Sequence, residues 1–445
     1  MSDMNSVPAL LRNSQMLRLC IAGLLVIVLL LPVSMIRNLV AEREGRHREA
    51  TAEVSSKWGN RQVIIGPALV LPYTVPRKEI SGNVEVFRPE TRTATFLPKT
   101  LRITGEVAAE SRARGIFTVP VYALRVVIDG EFLMPDLAEL GIDPATVSWD
   151  RAQLAVGIGD VRGIQGQSTL TWNDVQREFL PGSGAFAETE AGIHAPVAVA
   201  PADKTLKFSF PLSLNGSVAA YFVPFGEDTL VQLKSNYVHP SFQGSWLPTT
   251  RAITDDGFNA TWRISYLGRN YPQSWMSGTG IRKSIDASRF GVEFADPIDR
   301  YRMADRSVKY AGLFILLTFA TVWLGEVLSS ARVHPVQYLM LGSALCVFYL
   351  LQLSLSEHVG FGLAYGIASL SIIAMLAAYS RIILLGNYRA VVPAGTGVLY
   401  SYLFVLLTNE DHALLVGSIG LFVILAAVMF LTRRVEWYSA VSNEN

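Results

Sequence analysis

The stretch from Tyr310 to Leu431 holds five apolar runs whose connections are only about four to eleven residues long. The runs are Tyr310–Leu328, Val336–Ser356, Phe361–Tyr379, Val391–Thr408 and Ala413–Leu431. A helix rising ~1.5 Å per residue crosses a hydrocarbon core of ~30 Å in about 20 residues, so each run is expected to be a membrane span. Connections this short force neighbouring spans to be antiparallel. One more uncharged run, LCIAGLLVIVLLLPVSMI, begins at Leu19. It is longer than the apolar core of a cleavable leader and lacks a small-residue cleavage pattern, so it reads as a retained anchor.

The expected organisation has five parts: a cytoplasmic N-terminus (1–16), transmembrane helix 1 (17–36), a periplasmic β-rich domain (37–309), transmembrane helices 2–6 (310–431) and a cytoplasmic tail (432–445). Orientation comes from Lys and Arg in the short segments. Arg12, Arg18, Arg332, Arg381, Arg389, Arg433 and Arg434 fall on one side, whereas the alternate loops, Glu357–Gly360 and Asn409–His412, carry no Lys or Arg. This pattern puts both termini in the cytoplasm and the large domain outside. Arg37, Arg43, Arg46 and Arg48 oppose it, but long domains translocate largely regardless of charge. Of the chain's 38 Lys and Arg, 31 lie between Arg37 and Lys309, as do 30 of its 37 Asp and Glu, leaving that domain at +1. So even a balance offers no basic face and argues against nucleic acid as a partner. Both cysteines, Cys20 and Cys346, sit in expected spans, so the domain has neither a disulfide framework nor a cysteine metal site.

Within the domain, Arg37–Lys57 is expected to prolong the first helix until Gly59 breaks it. Val63–Pro72, which contains Gly66-Pro67, reads as a buried strand interrupted by a turn. From Leu206 to Leu214, apolar residues alternate with Lys207, Ser209, Pro211 and Ser213, a period of two that marks a strand with one buried face. Pro211 lacks an N–H and points to an edge or a bulge. Further strands are expected around Leu101–Glu106, Tyr122–Phe132, Gln153–Gly159, Leu230–Lys234 and Asn259–Tyr266, giving antiparallel, sandwich-like sheets.

Gly157-Ile158-Gly159-Asp160-Val161-Arg162-Gly163 spaces its glycines wrongly for a dinucleotide loop and reads as a tight turn in which Asp160 pairs with Arg162. Neither a phosphate loop nor a G-x-S-x-G nucleophile elbow is present. The candidate site is a group on the outer face: Glu357 and His358 after the third span, with Glu410, Asp411 and His412 between the fifth and sixth. Carboxylate and imidazole together can bind a divalent cation or relay a proton. Two hydrated loops at a membrane surface account for the same residues more simply. Glu326 lies within reach of water or Arg332, and Gly362-x-x-x-Gly366 with Ala364 and Ala368 offers a smooth face for helix packing.

Several stretches together resemble the CreD family of bacterial inner-membrane proteins. They are Asp305-Arg306-Ser307-Val308-Lys309-Tyr310-Ala311, His334-Pro335-Val336-Gln337-Tyr338-Leu339, Phe348-Tyr349-Leu350-Leu351 and Leu355-Ser356-Glu357-His358-Val359-Gly360-Phe361, with Gly159–Ile164 and His239-Pro240-Ser241-Phe242 in the domain. The resemblance implies a role in cell-envelope integrity and stress resistance. It brings no catalytic residue and no cofactor. The expectation is therefore a non-enzymatic membrane protein whose partners are the lipid bilayer and an envelope protein or the cell wall. The alternative is a transporter or intramembrane enzyme using the outer-face Glu/His group.

Overall fold

The computed structural model describes residues 15–81, 84–294, 300–329, 333–383, 390–409 and 412–433. The chain divides into two compact units, Glu49–Pro297 and the remainder, Met1–Arg48 with Ile298–Asn445.

The first unit is built from 17 strands among the described residues, numbered in chain order, in two sheets. One sheet runs β13 (Ser241–Gly244), β17 (Phe290–Glu293), β11 (Ala219–Phe222), β1 (Gln62–Ser81), β5 (Gln153–Ile158), β9 (Gly192–Pro196) and β8 (Leu180–Pro181). Beside β1 branches β2 (Val84–Phe96), which also pairs with β16 (Ser274–Met276). The other sheet runs β14 (Thr250–Thr254), β15 (Gly257–Ser265), β12 (Asp228–Ser235), β3 (Thr100–Arg114), β4 (Phe117–Leu133), β10 (Thr205–Ser217), β6 (Thr169–Trp172) and β7 (Val175–Glu178). Most pairings are antiparallel, but β1 with β11 and β12 with β3 are parallel, so the sheets are mixed rather than purely antiparallel as expected. Each parallel pair joins strands far apart in sequence, which no local turn signal reports.

Alternation delivers the core. In β10, Leu206, Phe208, Phe210, Leu212 and Leu214 are all buried. Facing residues of the two sheets meet there: Trp262 of β15 lies 5.7 Å from Phe242 of β13 and 5.8 Å from Phe290 of β17, ring to ring. Two expectations need correcting. Gly66-Pro67 does not interrupt β1; the strand continues, and its register with β5 shifts between Ile65 and Ala68, a bulge that Gly66 accommodates at φ 121°. Nor is β10 an edge strand. Yet β6 pairs only with Phe208 and Ser209, so Pro211 lies past the end of that pairing, where a missing N–H is tolerated.

The second unit is helical. The first helix, α1 (Gln15–Trp58), belongs to it up to Arg48; it carries both the apolar run and the charged residues after it, and it ends at Gly59, whose φ of 139° suits glycine. A short helix, α2 (Arg282–Ala287), belongs to the β-rich unit. Then come α3 (Arg300–Lys309), α4 (Ala311–Ser329), α5 (Pro335–Val359), α6 (Phe361–Ile383), α7 (Val391–Thr408) and α8 (Ala413–Thr432). Among the described residues, four helices are individually long and apolar enough to cross a membrane: Cys20–Trp58, Pro335–Val359, Phe361–Ile382 and Ala413–Phe430. The bent pair α3–α4 makes a fifth if counted as one span, and Val392–Thr408 is a shorter apolar helix. The 45° bend falls where composition changes, from a segment with Arg300, Arg302, Asp305, Arg306 and Lys309 to one with no charge before Glu326.

Close helix packing does not use the glycine pair read from sequence. Gly362 and Gly366 meet nothing within 4 Å, while Ala364 and Ala368, two positions along and so on another face, are wholly buried. Tight approaches fall instead at Gly342 of α5, where a Cβ would overlap the Leu29 side chain of α1, and at Gly420 of α8, where it would overlap Tyr402.

Candidate functional site

The helical unit is tied together by a polar collar at the C-terminal end of α5. Amphipathic spacing buries Tyr301, Ala304, Ser307 and Val308 along one side of α3. That side brings Tyr301 Oη within 3.1 Å of Glu357 Oε1 and Ser307 Oγ within 2.9 Å of Gln352 Oε1, both acceptors on α5. On α1, Arg43 Nη1 stands 3.8 Å from Glu357 Oε2, and the His47 ring lies 5.8 Å from that of Tyr301. Arg300 Nη1 reaches the backbone carbonyl of Glu357 at 3.5 Å. One turn along α3, Asp305 pairs with Lys309 at 2.6 Å and with Arg37 of α1 at 3.5 Å.

Glu357 has a side chain only 9% exposed, so its charge needs partners, and the arginine and the tyrosine hydroxyl supply them. A carboxylate set between a guanidinium and a hydroxyl joins three helices through its two oxygens. His358 is exposed, its Nδ1 3.1 Å from the Ser354 carbonyl of its own helix. His412, also exposed, sits just before α8 without capping it. Glu410 and Asp411 lie outside the described residues. Among the described residues nothing joins His412 to Glu357 or His358, and no group of three or more His, Cys, Asp or Glu is placed to hold a metal ion. Glu326 is buried: its carboxylate accepts from the Val333 N–H and, at 2.9 Å, from Tyr338 Oη. Arg332, its expected partner, lies outside the described residues.

Sequence reasoning missed Arg43, Arg300, Tyr301, Ser307 and Gln352. The available signal was that Asp305–Ala311 and Leu355–Phe361 both stood out as motifs. The structure shows α3 and the end of α5 meeting. The motif at His334 is also accounted for: His334 Nδ1 accepts from the Val336 N–H, and Gln337 accepts from the His334 N–H, closing a capping box on α5.

A second joint lies in the β-rich unit where α1 ends. Asp160, 7% exposed, accepts from Asn60 N and Nδ2, both at 3.0 Å, and from Arg162 Nε and Nη2 at 2.9 and 2.8 Å. These bonds, Arg162's foremost, hold its carboxyl down to about 2. Gln62 bonds both backbone groups of Asp160 and the Asn215 carbonyl, while Ser217 Oγ bonds Ser55 Oγ and the Gly59 carbonyl. The expected Asp160–Arg162 pair is present, and the tight turn is a 3-10 turn over Val161–Gly163 capped by Asp160.

Long apolar helices in one unit and a separately cored β-rich unit in the other define a membrane protein with a large β-rich insert. The family model for inner membrane protein CreD matches residues 14–438. The Escherichia coli (strain K12) inner membrane protein CreD is 32% identical over 416 residues, covering 93% of this chain and 92% of that one. This chain belongs to the CreD family. A solved Parabacteroides distasonis structure with a provisional protease designation aligns over 58% of each chain at 10% identity, but its TM-score of 0.22 supports no shared fold or chemistry.

Proposed function

We propose that this chain is a six-span inner-membrane protein that holds its β-rich unit in the periplasm. There it supports envelope integrity under stress without catalysing a reaction, through contact with an envelope protein or the cell wall. The placement rests on the charge asymmetry: seven Lys and Arg in alternate short segments against none in the others. Six spans follow if α3–α4 counts as one and the short α7 as another. The role rests on family membership together with the two-unit build, in which a β-rich unit with its own core is inserted into a helical unit.

The test uses a strain lacking the protein, complemented with the intact chain under envelope damage. In parallel, Leu247→Cys, at an exposed position, is introduced into a Cys20→Ala, Cys346→Ala background. Restored survival is expected, with labelling by a membrane-impermeant maleimide once the outer membrane is opened. Labelling only after the inner membrane is lysed overturns the placement. Survival no better than without the protein overturns the role.

A further inference from the structure

In the β-rich unit, a cavity of about 430 Å³ opens beside Ser245, Trp246, Arg269, Asn270, Lys283 and Ser284. That volume suits a small molecule. Arg269 is 9% exposed, and its guanidinium is held only by neutral groups. Nη1 donates to the Pro224 and Phe225 carbonyls at 2.8 and 2.7 Å, Nη2 donates to the Gln273 side chain, and the group stands 4.8 Å over the Tyr271 ring. Its Nε is buried with no acceptor. Burial lowers the pKa of Arg269, but a guanidinium stays charged in a protein. Buried cations are normally paired. Here, among the described residues, no carboxylate comes within 4 Å of Arg269, and Glu227 acts on it only from farther away.

Lys283 adds a second charge at the rim, exposed and without an ion pair among the described residues, whereas its neighbour Arg282 is engaged with Glu190 at 3.0 Å. Asn270 and Ser284 supply further polar groups, and Trp246 a flat apolar wall. Two other cavities in the unit differ. The one of about 390 Å³ sets Arg177 among Asp150 and Glu178, and in the one of about 610 Å³ Arg88 is already paired with Glu79 at 3.1 Å. The cavity at Arg269 has two cations in its lining and no carboxylate.

We propose that this cavity binds a small polar molecule through a terminal oxyanion, a carboxylate or a phosphate, set between Arg269 and Lys283, with the body of the ligand against Trp246. This goes beyond the envelope role and does not depend on it. Purified full-length protein in non-ionic detergent is titrated with potassium phosphate and, separately, potassium acetate, against potassium chloride at matched ionic strength, and the thermal unfolding midpoint is read. A saturable rise with either probe is expected; the stronger probe identifies the anion class. Lys283→Gln, at an exposed position, should weaken the response about ten-fold, the loss of one charge-assisted hydrogen bond. Arg269→Gln should abolish it; if that variant does not accumulate, Lys283→Gln alone decides. No response to either probe beyond that to chloride, or undiminished affinity in Lys283→Gln, overturns the proposal.

Discussion

Asp160 is the position at which loss of a single charge should be felt most clearly in the β-rich unit. Its carboxylate binds Asn60 and Arg162, and its backbone is held by Gln62, so one residue joins the end of α1 to β5 and the turn after it. Its carboxyl sits at about 2 rather than 3.8, a difference corresponding to roughly 2 kcal/mol at ~1.36 kcal/mol per unit. The Arg162 side chain is 60% exposed, so solvent screens the pair and about 1–2 kcal/mol is the fair expectation. The folded carboxyl binds its proton less readily than the unfolded one. This contribution is therefore fully present above about pH 4 and is lost as the pH falls toward 2. Asp160→Asn should cost about 1–2 kcal/mol at neutral pH, and Asp160→Ala about 3, because the Asn60 and Arg162 N–H groups then lose their acceptor. Denaturant unfolding of the full-length protein in detergent, followed by hydrogen exchange at Asn60 and Arg162, measures both. An Asp160→Asn protein as stable as wild type at pH 7, with the same loss between pH 4 and 2, would refute the reasoning.

Two further perturbations probe the helical unit. Glu357→Gln and Arg43→Gln, alone and together, should show a coupling of about 0.5–1.5 kcal/mol in thermal unfolding in detergent; strictly additive effects would mean that the 3.8 Å pair contributes nothing. Gly342→Ala should lower stability by about 1–3 kcal/mol through overlap with Leu29, whereas Gly366→Ala, facing open space, should raise it by up to about 1 kcal/mol through helix propensity; equal effects would contradict the packing described.

Much of this architecture is legible locally. Uncharged runs announce helices because an unpaired backbone in lipid is costly, and the Leu206–Leu214 alternation announces a half-buried strand, since side chains on a strand take opposite faces. The Asp160–Arg162 pair is legible for the same reason: the partners are two residues apart, in a turn. The capping box at His334 also spans only three residues.

The candidate site was legible only in part. Glu357 stood out beside His358, but an adjacent residue on a helix points elsewhere, and the two separate into an ion-paired, largely covered carboxylate and an exposed ring. The true neighbours of Glu357, Arg43 and Tyr301, come from helices 314 and 56 residues away in the chain, and no local pattern encodes that distance.

Sequence alone determined which segments are apolar enough to be helices, which alternate as strands, and where charge collects. These follow from composition and short-range periodicity, whereas the family is carried by particular motifs such as Asp305–Ala311 and Leu355–Phe361. The tertiary structure decided the parallel pairings within the sheets, the choice of Gly342 over Gly362 and Gly366 for close contact, the meeting of α3 with the end of α5, and the isolation of Arg269 among neutral acceptors. Each depends on which distant segments pack together, a property of the whole folded chain and not of any window along it.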